Sequence, residues 1–263
     1  VVINVPAPDL TVSSSWLTGA GGVNYGNTLG GGMSGGPTTH GGGGTPNANQ
    51  EIINNLKDYP CAQKLLEQLP SLDNSLAKLI ETTFKNNDKI KVTFVAGELK
   101  SDKPNEILAG RTNYIETNPN TNVVTYNITL NRDILKTATQ EYVLATMYHE
   151  FIHAYLGYEQ KVLGADAYHA KYPYLESYMI GDVKKFKFIT GDHQAYAPFI
   201  NMISDAIMSY AKVNNPNFPQ KVANALAMEG VASNETIPGE VSAYTPLERL
   251  GDRYAQGVKC AKP

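Results

Sequence analysis

His149-Glu150-Phe151-Ile152-His153 sets two imidazoles four residues apart, with a carboxylate directly after the first. On an α-helix, residues four apart leave the same face, so both rings can grip one ion from one side. Zn2+ accepts neutral imidazole nitrogen and, in catalytic sites, keeps one coordination position for water. Glu150 stands where its carboxylate can take a proton from that water. The chemistry this spacing points to is metal-assisted hydrolysis.

A match to this pattern arises by chance in roughly one shuffled chain in two hundred, so context has to carry the reading. The stretch Thr137–Tyr158 predicts a helix on independent grounds. Thr137 and Gln140 have capping-box spacing. Leu144, Met147, Phe151 and Tyr155 recur at helical intervals. Thr146, His149, Glu150 and His153 share the neighbouring face, and Gly157 stands where a C-cap glycine would end the helix. The competing reading is a core helix carrying two hydrogen-bonded histidines. Clustered polar side chains on such a helix need partners, and a metal supplies them.

Two histidines leave a three-ligand zinc site incomplete. The extended pattern HExxHxxGxxH is excluded, because Leu156 and Glu159 hold its glycine and third-histidine positions. His193 is the leading third ligand. It lies in Gly191-Asp192-His193-Gln194-Ala195-Tyr196, just before a strong amphipathic helix at Pro198–Lys212, where a rigid element can aim it. Asp192 or a backbone carbonyl could hold its other nitrogen. Asp166, which resembles an aspzincin ligand, Glu176, at a gluzincin-like distance from His153, and His169 are its rivals. Among sixteen tyrosines, Tyr196 is the nearest to a proposed ligand and the first choice to stabilise an oxyanion.

The elements that must position these groups are legible in part. Glu51–Lys57, Cys61–Gln68 and Asn74–Lys85 read as short helices. Lys89–Leu99 and Val123–Leu130 alternate as strands. Ser101–Asn122 reads as polar and turn-rich. Glu159–Tyr174 reads as a loop with some helix, and Leu175–Lys187, Val222–Val231 and Leu247–Val258 read as helices. The fold class expected is α+β, mostly helical, with a small sheet preceding the HExxH helix. An edge strand of that sheet can hold an extended peptide by main-chain pairing.

Between Gly19 and Gly44 lie thirteen of the twenty-three glycines. Such a segment cannot bury enough apolar surface to offset its ordering entropy. Residues 1–47 are therefore expected to be a flexible linker or N-terminal arm, with His40 solvated, and residues 48–263 to form the domain. The net charge of −3 comes without a basic stripe, which disfavours nucleic acid as a partner. No apolar run has transmembrane length, and no secretory n-region and h-region pattern is present. Val1 in place of Met suggests a processed product or a piece of something longer. Cys61 and Cys260 cannot build a cysteine zinc site alone. In an oxidising compartment they are expected to form one disulfide, the alternative being two separate buried thiols.

The run Tyr148-His149-Glu150-Phe151-Ile152-His153-Ala154-Tyr155-Leu156, followed by Asp192-His193 and Tyr196, resembles SprT-like zincins. The span from Pro60-Cys61-Ala62 to His193 resembles more closely the metallopeptidase domains at the C-termini of large secreted bacterial proteins, some of them toxins joined to the rest by glycine-rich linkers. This resemblance implies a zincin-like fold and a zinc-dependent endopeptidase. It implies His149, His153 and His193 as metal ligands, Glu150 as general base, and a protein or peptide as substrate. It also implies a carrier or delivery protein engaged through the N-terminal region, and a secreted location with delivery into a target cell. The alternative from another class is a catalytically inactive zinc-binding or protein-interaction module.

Overall fold

The computed structural model describes residues 52–85, 87–101, 107–178, 186–189, 191–233, 236–237 and 239–260. The expectations for the 1–47 arm, for His40 and for a boundary at residue 48 lie outside the described residues.

A four-stranded mixed sheet precedes the metal-motif helix. Its strands are β1 (Ile52–Asn55), β2 (Ile90–Gly97), β3 (Gly110–Thr117) and β4 (Val124–Asn131), in the order β1-β2-β4-β3. β1, β2 and β4 run parallel, and β3 pairs antiparallel with β4 at the edge. Alternation decides the inner face: Ile90, Val92 and Phe94 of β2 and Val124, Tyr126, Ile128 and Leu130 of β4 are buried. Against that face lies α4 (Gln140–Leu163), preceded by α1 (Pro60–Gln68), α2 (Ser75–Ile80) and the single-turn α3 (Arg132–Leu135). Phe151 of α4 packs its ring 4.9 Å from Phe94 and 5.1 Å from Phe84. The other side of α4 is covered by α6 (Ala197–Asn214), α7 (Gln220–Met228) and α8 (Gly239–Leu250), so the helix is buried nearly all round as far as Leu156. Between them come α5 (Ala165–Lys171), a ribbon of β5 (Ser177–Tyr178) and β6 (Phe186–Lys187), and a 3-10 turn at Asp192–Ala195. The chain is thus α+β and mostly helical. Among the described residues no helix is long and apolar enough to cross a membrane.

Several elements differ from the sequence expectation. Glu51–Lys57 was expected as helix, but Ile52–Asn55 is a strand, because pairing with Val92–Val95 overrides local preference. Ser101–Asn122 contains β3, whose residues are largely solvent-exposed, so no apolar alternation marks it. Thr139, not Thr137, caps α4, its hydroxyl accepting from the Tyr142 N–H. The helix runs through Gly157 and stops at Gly164. Gly157 serves packing instead of termination: a Cβ there would sit 2.6 Å from the Tyr126 hydroxyl of the sheet. A helix was expected over Leu175–Lys187; of that span the described residues hold β5 and β6, and residues 179–185 lie outside the described residues. The last helix lies earlier than expected, ending at Leu250, and residues 251–260 form an irregular strap.

That strap crosses the start of α4. The Gln140 N–H donates to the Val258 carbonyl (2.7 Å), using an amide that the helix leaves unpaired. Glu141 accepts from the Val258 N–H (2.8 Å), and Glu248 accepts from the Gln256 and Gly257 N–H groups and the Thr139 hydroxyl. Both carboxylates are fully buried. The strap ends at Cys260, bonded to Cys61 of α1 across 199 residues. Chain-entropy arguments give a closed loop of this size roughly 5 kcal/mol at most, with about 2–4 kcal/mol typical. Replacing both cysteines with serine should therefore lower unfolding free energy by about 2–5 kcal/mol in urea titrations. A variant as stable as the parent would contradict this role.

Candidate metal centre

α4 presents Tyr142, Ala145, Thr146, His149, Glu150 and His153 along one wall of a cleft of about 850 Å3. The opposite walls come from the edge strand β3, from Asp192-His193 and from the end of α7 with the turn that follows it. His149 and His153 are one turn apart on the helix, and their Nε2 atoms lie 3.1 Å apart. His193 arrives from the 3-10 turn that leads into α6, and its ring centroid is 5.4 Å from that of His149 and 4.9 Å from that of His153. One nitrogen from each of the three histidines falls within 4.8 Å of the others. Tetrahedral Zn2+ with bonds of 2.0–2.1 Å needs nitrogens about 3.3 Å apart. The His149–His153 pair already meets that spacing, and the donor set is one zinc accepts. A three-histidine group that can hold a metal ion is present.

The rivals lie elsewhere. Asp166 and His169 are exposed on α5, and His169 packs edge-on against Tyr174 at 4.8 Å. Glu176 is exposed before β5. None of the three lines the cleft. Tyr196 is also not where an oxyanion would form. Its side chain is fully buried, and its hydroxyl donates to the His149 carbonyl at 2.9 Å.

Glu150 is buried against β3. The Thr112 hydroxyl lies 2.7 Å from Glu150 Oε2 and 3.0 Å from the Glu150 carbonyl, which fixes the side chain on its own backbone. Gly110 approaches so closely that a Cβ there would stand 2.6 Å from Glu150 Oε1. Gly110 and Thr112 are site residues that the sequence reading passed over, because it did not find β3. An isolated glycine inside a strand marks close approach of another group, and that signal was available. Gly110→Ala should push the Glu150 carboxylate aside while leaving the histidines in place. On the reading of Glu150 as a reacting group proposed below, a displacement of about 1 Å would cost on the order of 100-fold in rate. The check is hydrolytic rate against zinc content, and unchanged turnover would remove Gly110 from the account.

Burial sets the protonation states. It holds His149 well below the ordinary imidazole range, helped by the neighbouring His153 and His193. The same cause lowers His153 to about 3 and depresses His193. All three are neutral at neutral pH, the form a metal binds. Glu150 moves the other way, pushed up to about 7 by desolvation against the opposing Thr112 hydrogen bond. These shifts act oppositely on the metal-free fold. As pH falls below about 6.5 the unfolded chain protonates its histidines first, so stability drops. Between about 7 and 4.5 the folded chain protonates Glu150 first, so stability rises as pH falls. Glu150→Gln removes that compensation. From pH 7 to pH 5 the metal-free variant should lose about 2 kcal/mol more than the metal-free parent. Denaturant titrations with chelator at both pH values test this, and parallel losses would contradict it.

Compared with protein-family models, with curated proteins and with solved structures, the chain matches none.

Proposed function

We propose that this chain is a zinc-dependent endopeptidase of zincin-like architecture. The observation that carries the reading is the convergence of three imidazole nitrogens within 4.8 Å, in the cleft that also holds Glu150. Zn2+ bound there would acidify a water molecule and polarise a carbonyl.

The chain's own residues supply the rest. Among the described residues β3 is paired only with β4, so its outer main-chain groups can pair with an extended peptide laid along the cleft. Its Gly110–Thr112 stretch lines the cleft beside Glu150, which brings such a peptide alongside the reacting carboxylate. Thr112 engages Oε2 of Glu150, so Oε1 is the oxygen that would take a proton from an attacking water. A carboxyl held near neutrality can accept that proton and then pass it to the leaving amine. The Cys61–Cys260 disulfide supports reading the protein as one that works in an oxidising, extracellular setting.

The test is metal analysis of the purified protein, followed by incubation with unfolded protein substrates. Peptide bonds should be cut, chelation should stop the cutting and Zn2+ should restore it. A protein fully loaded with zinc that cuts no unfolded substrate would defeat this reading.

A further inference from the structure

Tyr196 sits at the centre of the histidine cluster without lining the cleft. Its ring centroid is 5.2 Å from His149, 5.0 Å from His153 and 5.3 Å from His193. The side chain is fully buried. Its hydroxyl donates to the main-chain carbonyl of His149, 47 residues away in sequence, at 2.9 Å. A buried phenol needs such a partner, and few positions in a helix-packed core provide one.

The location of this bond gives it meaning. Tyr196 closes the 3-10 turn that carries His193 and stands at the N-cap of α6. Three residues on, Phe199 packs its ring 5.8 Å from Tyr155 of α4. The start of α6 is therefore fastened to α4 at two points. Phe199 makes an apolar contact that tolerates small slides. The Tyr196 hydroxyl makes a directional bond to the backbone of the residue that also bears the first imidazole.

We infer that Tyr196 is a positioning residue that sets the register of His193 against the His149–His153 pair, and that the metal site is incomplete in geometry without its hydroxyl. The inference rests on the metal-site part of the reading above and not on the peptidase part. Tyr196→Phe keeps the ring and its volume and deletes only the hydroxyl. Groups that orient metal ligands typically change metal affinity by 10- to 100-fold when removed. The Tyr196→Phe variant should bind Zn2+ about 10-fold more weakly than the parent.

A control separates positioning from general packing. Tyr155 shares the same layer, and its hydroxyl pairs with the Tyr172 hydroxyl at 2.8 Å with no contact to a histidine carbonyl. Tyr155→Phe deletes a buried hydroxyl of the same kind. The experiment is competition for Zn2+ against a chromophoric chelator, with the parent and both variants. In parallel, Co2+ is substituted and its visible absorption recorded. The expected result is weakened binding and an altered Co2+ spectrum in Tyr196→Phe alone, with Tyr155→Phe within two-fold of the parent. Equal zinc affinity in Tyr196→Phe, or equal weakening in both variants, would overturn the inference while leaving the metal site intact. A parent that binds no zinc would overturn the metal site and this inference together.

Discussion

Glu150→Gln should keep its zinc and lose peptide hydrolysis. Glutamine is nearly isosteric, its carbonyl oxygen can still accept from the Thr112 hydroxyl, and the imidazoles of His149 and His153 are untouched. What disappears is the only carboxylate that α4 contributes to the cleft. A positioned general base contributes about 100- to 10,000-fold to such reactions, so kcat/KM should fall by about that factor with unchanged metal stoichiometry. The desolvation that raises the Glu150 carboxyl to about 7 is what fits it for proton transfer in both directions near neutral pH. Activity of the parent should rise as pH climbs and the carboxyl ionises. The midpoint should lie below about 7 when metal is bound, since a nearby cation favours the ionised form. Full turnover in the glutamine variant would assign the proton transfer to another group.

His193→Ala should weaken zinc binding by about 100- to 1,000-fold. Structural zinc sites bind with about 10–16 kcal/mol shared over four ligands, hence roughly 2.5–4 kcal/mol for each. His149 and His153 would remain on their helix and hold the ion as a pair. His169→Ala provides the contrast: that histidine is exposed on α5 against Tyr174 and should leave affinity unchanged. Isothermal titration of the chelator-treated proteins would measure both. Comparable losses in the two variants would mean that the third imidazole does not come from the turn before α6.

The parts of this architecture that follow a period were legible in the sequence. Leu144, Met147, Phe151 and Tyr155 announce α4 by their helical spacing, and Val124, Tyr126, Ile128 and Leu130 announce β4 by their alternation, and all eight are buried. The parts set by tertiary contact were not. β3 carries Gly110 and Thr112 to Glu150, yet it is a solvated edge strand held by pairing with β4, and its composition gives no apolar rhythm. Gly157 has the look of a helix terminus, and only the Tyr126 hydroxyl pressed against it explains its presence inside a helix. Tyr196 stood close to His193 in the chain, which suggested a part in the reaction. Its role depends on a carbonyl 47 residues away that no local pattern exposes.

The most direct test of the central claim is a crystal structure of the zinc-loaded protein with anomalous scattering collected at the zinc edge. One ion should lie within about 2.0–2.1 Å of nitrogens from His149, His153 and His193, with its remaining coordination facing the cleft beside Glu150. An ion bound elsewhere, or one closed off by a fourth protein ligand, would contradict that claim.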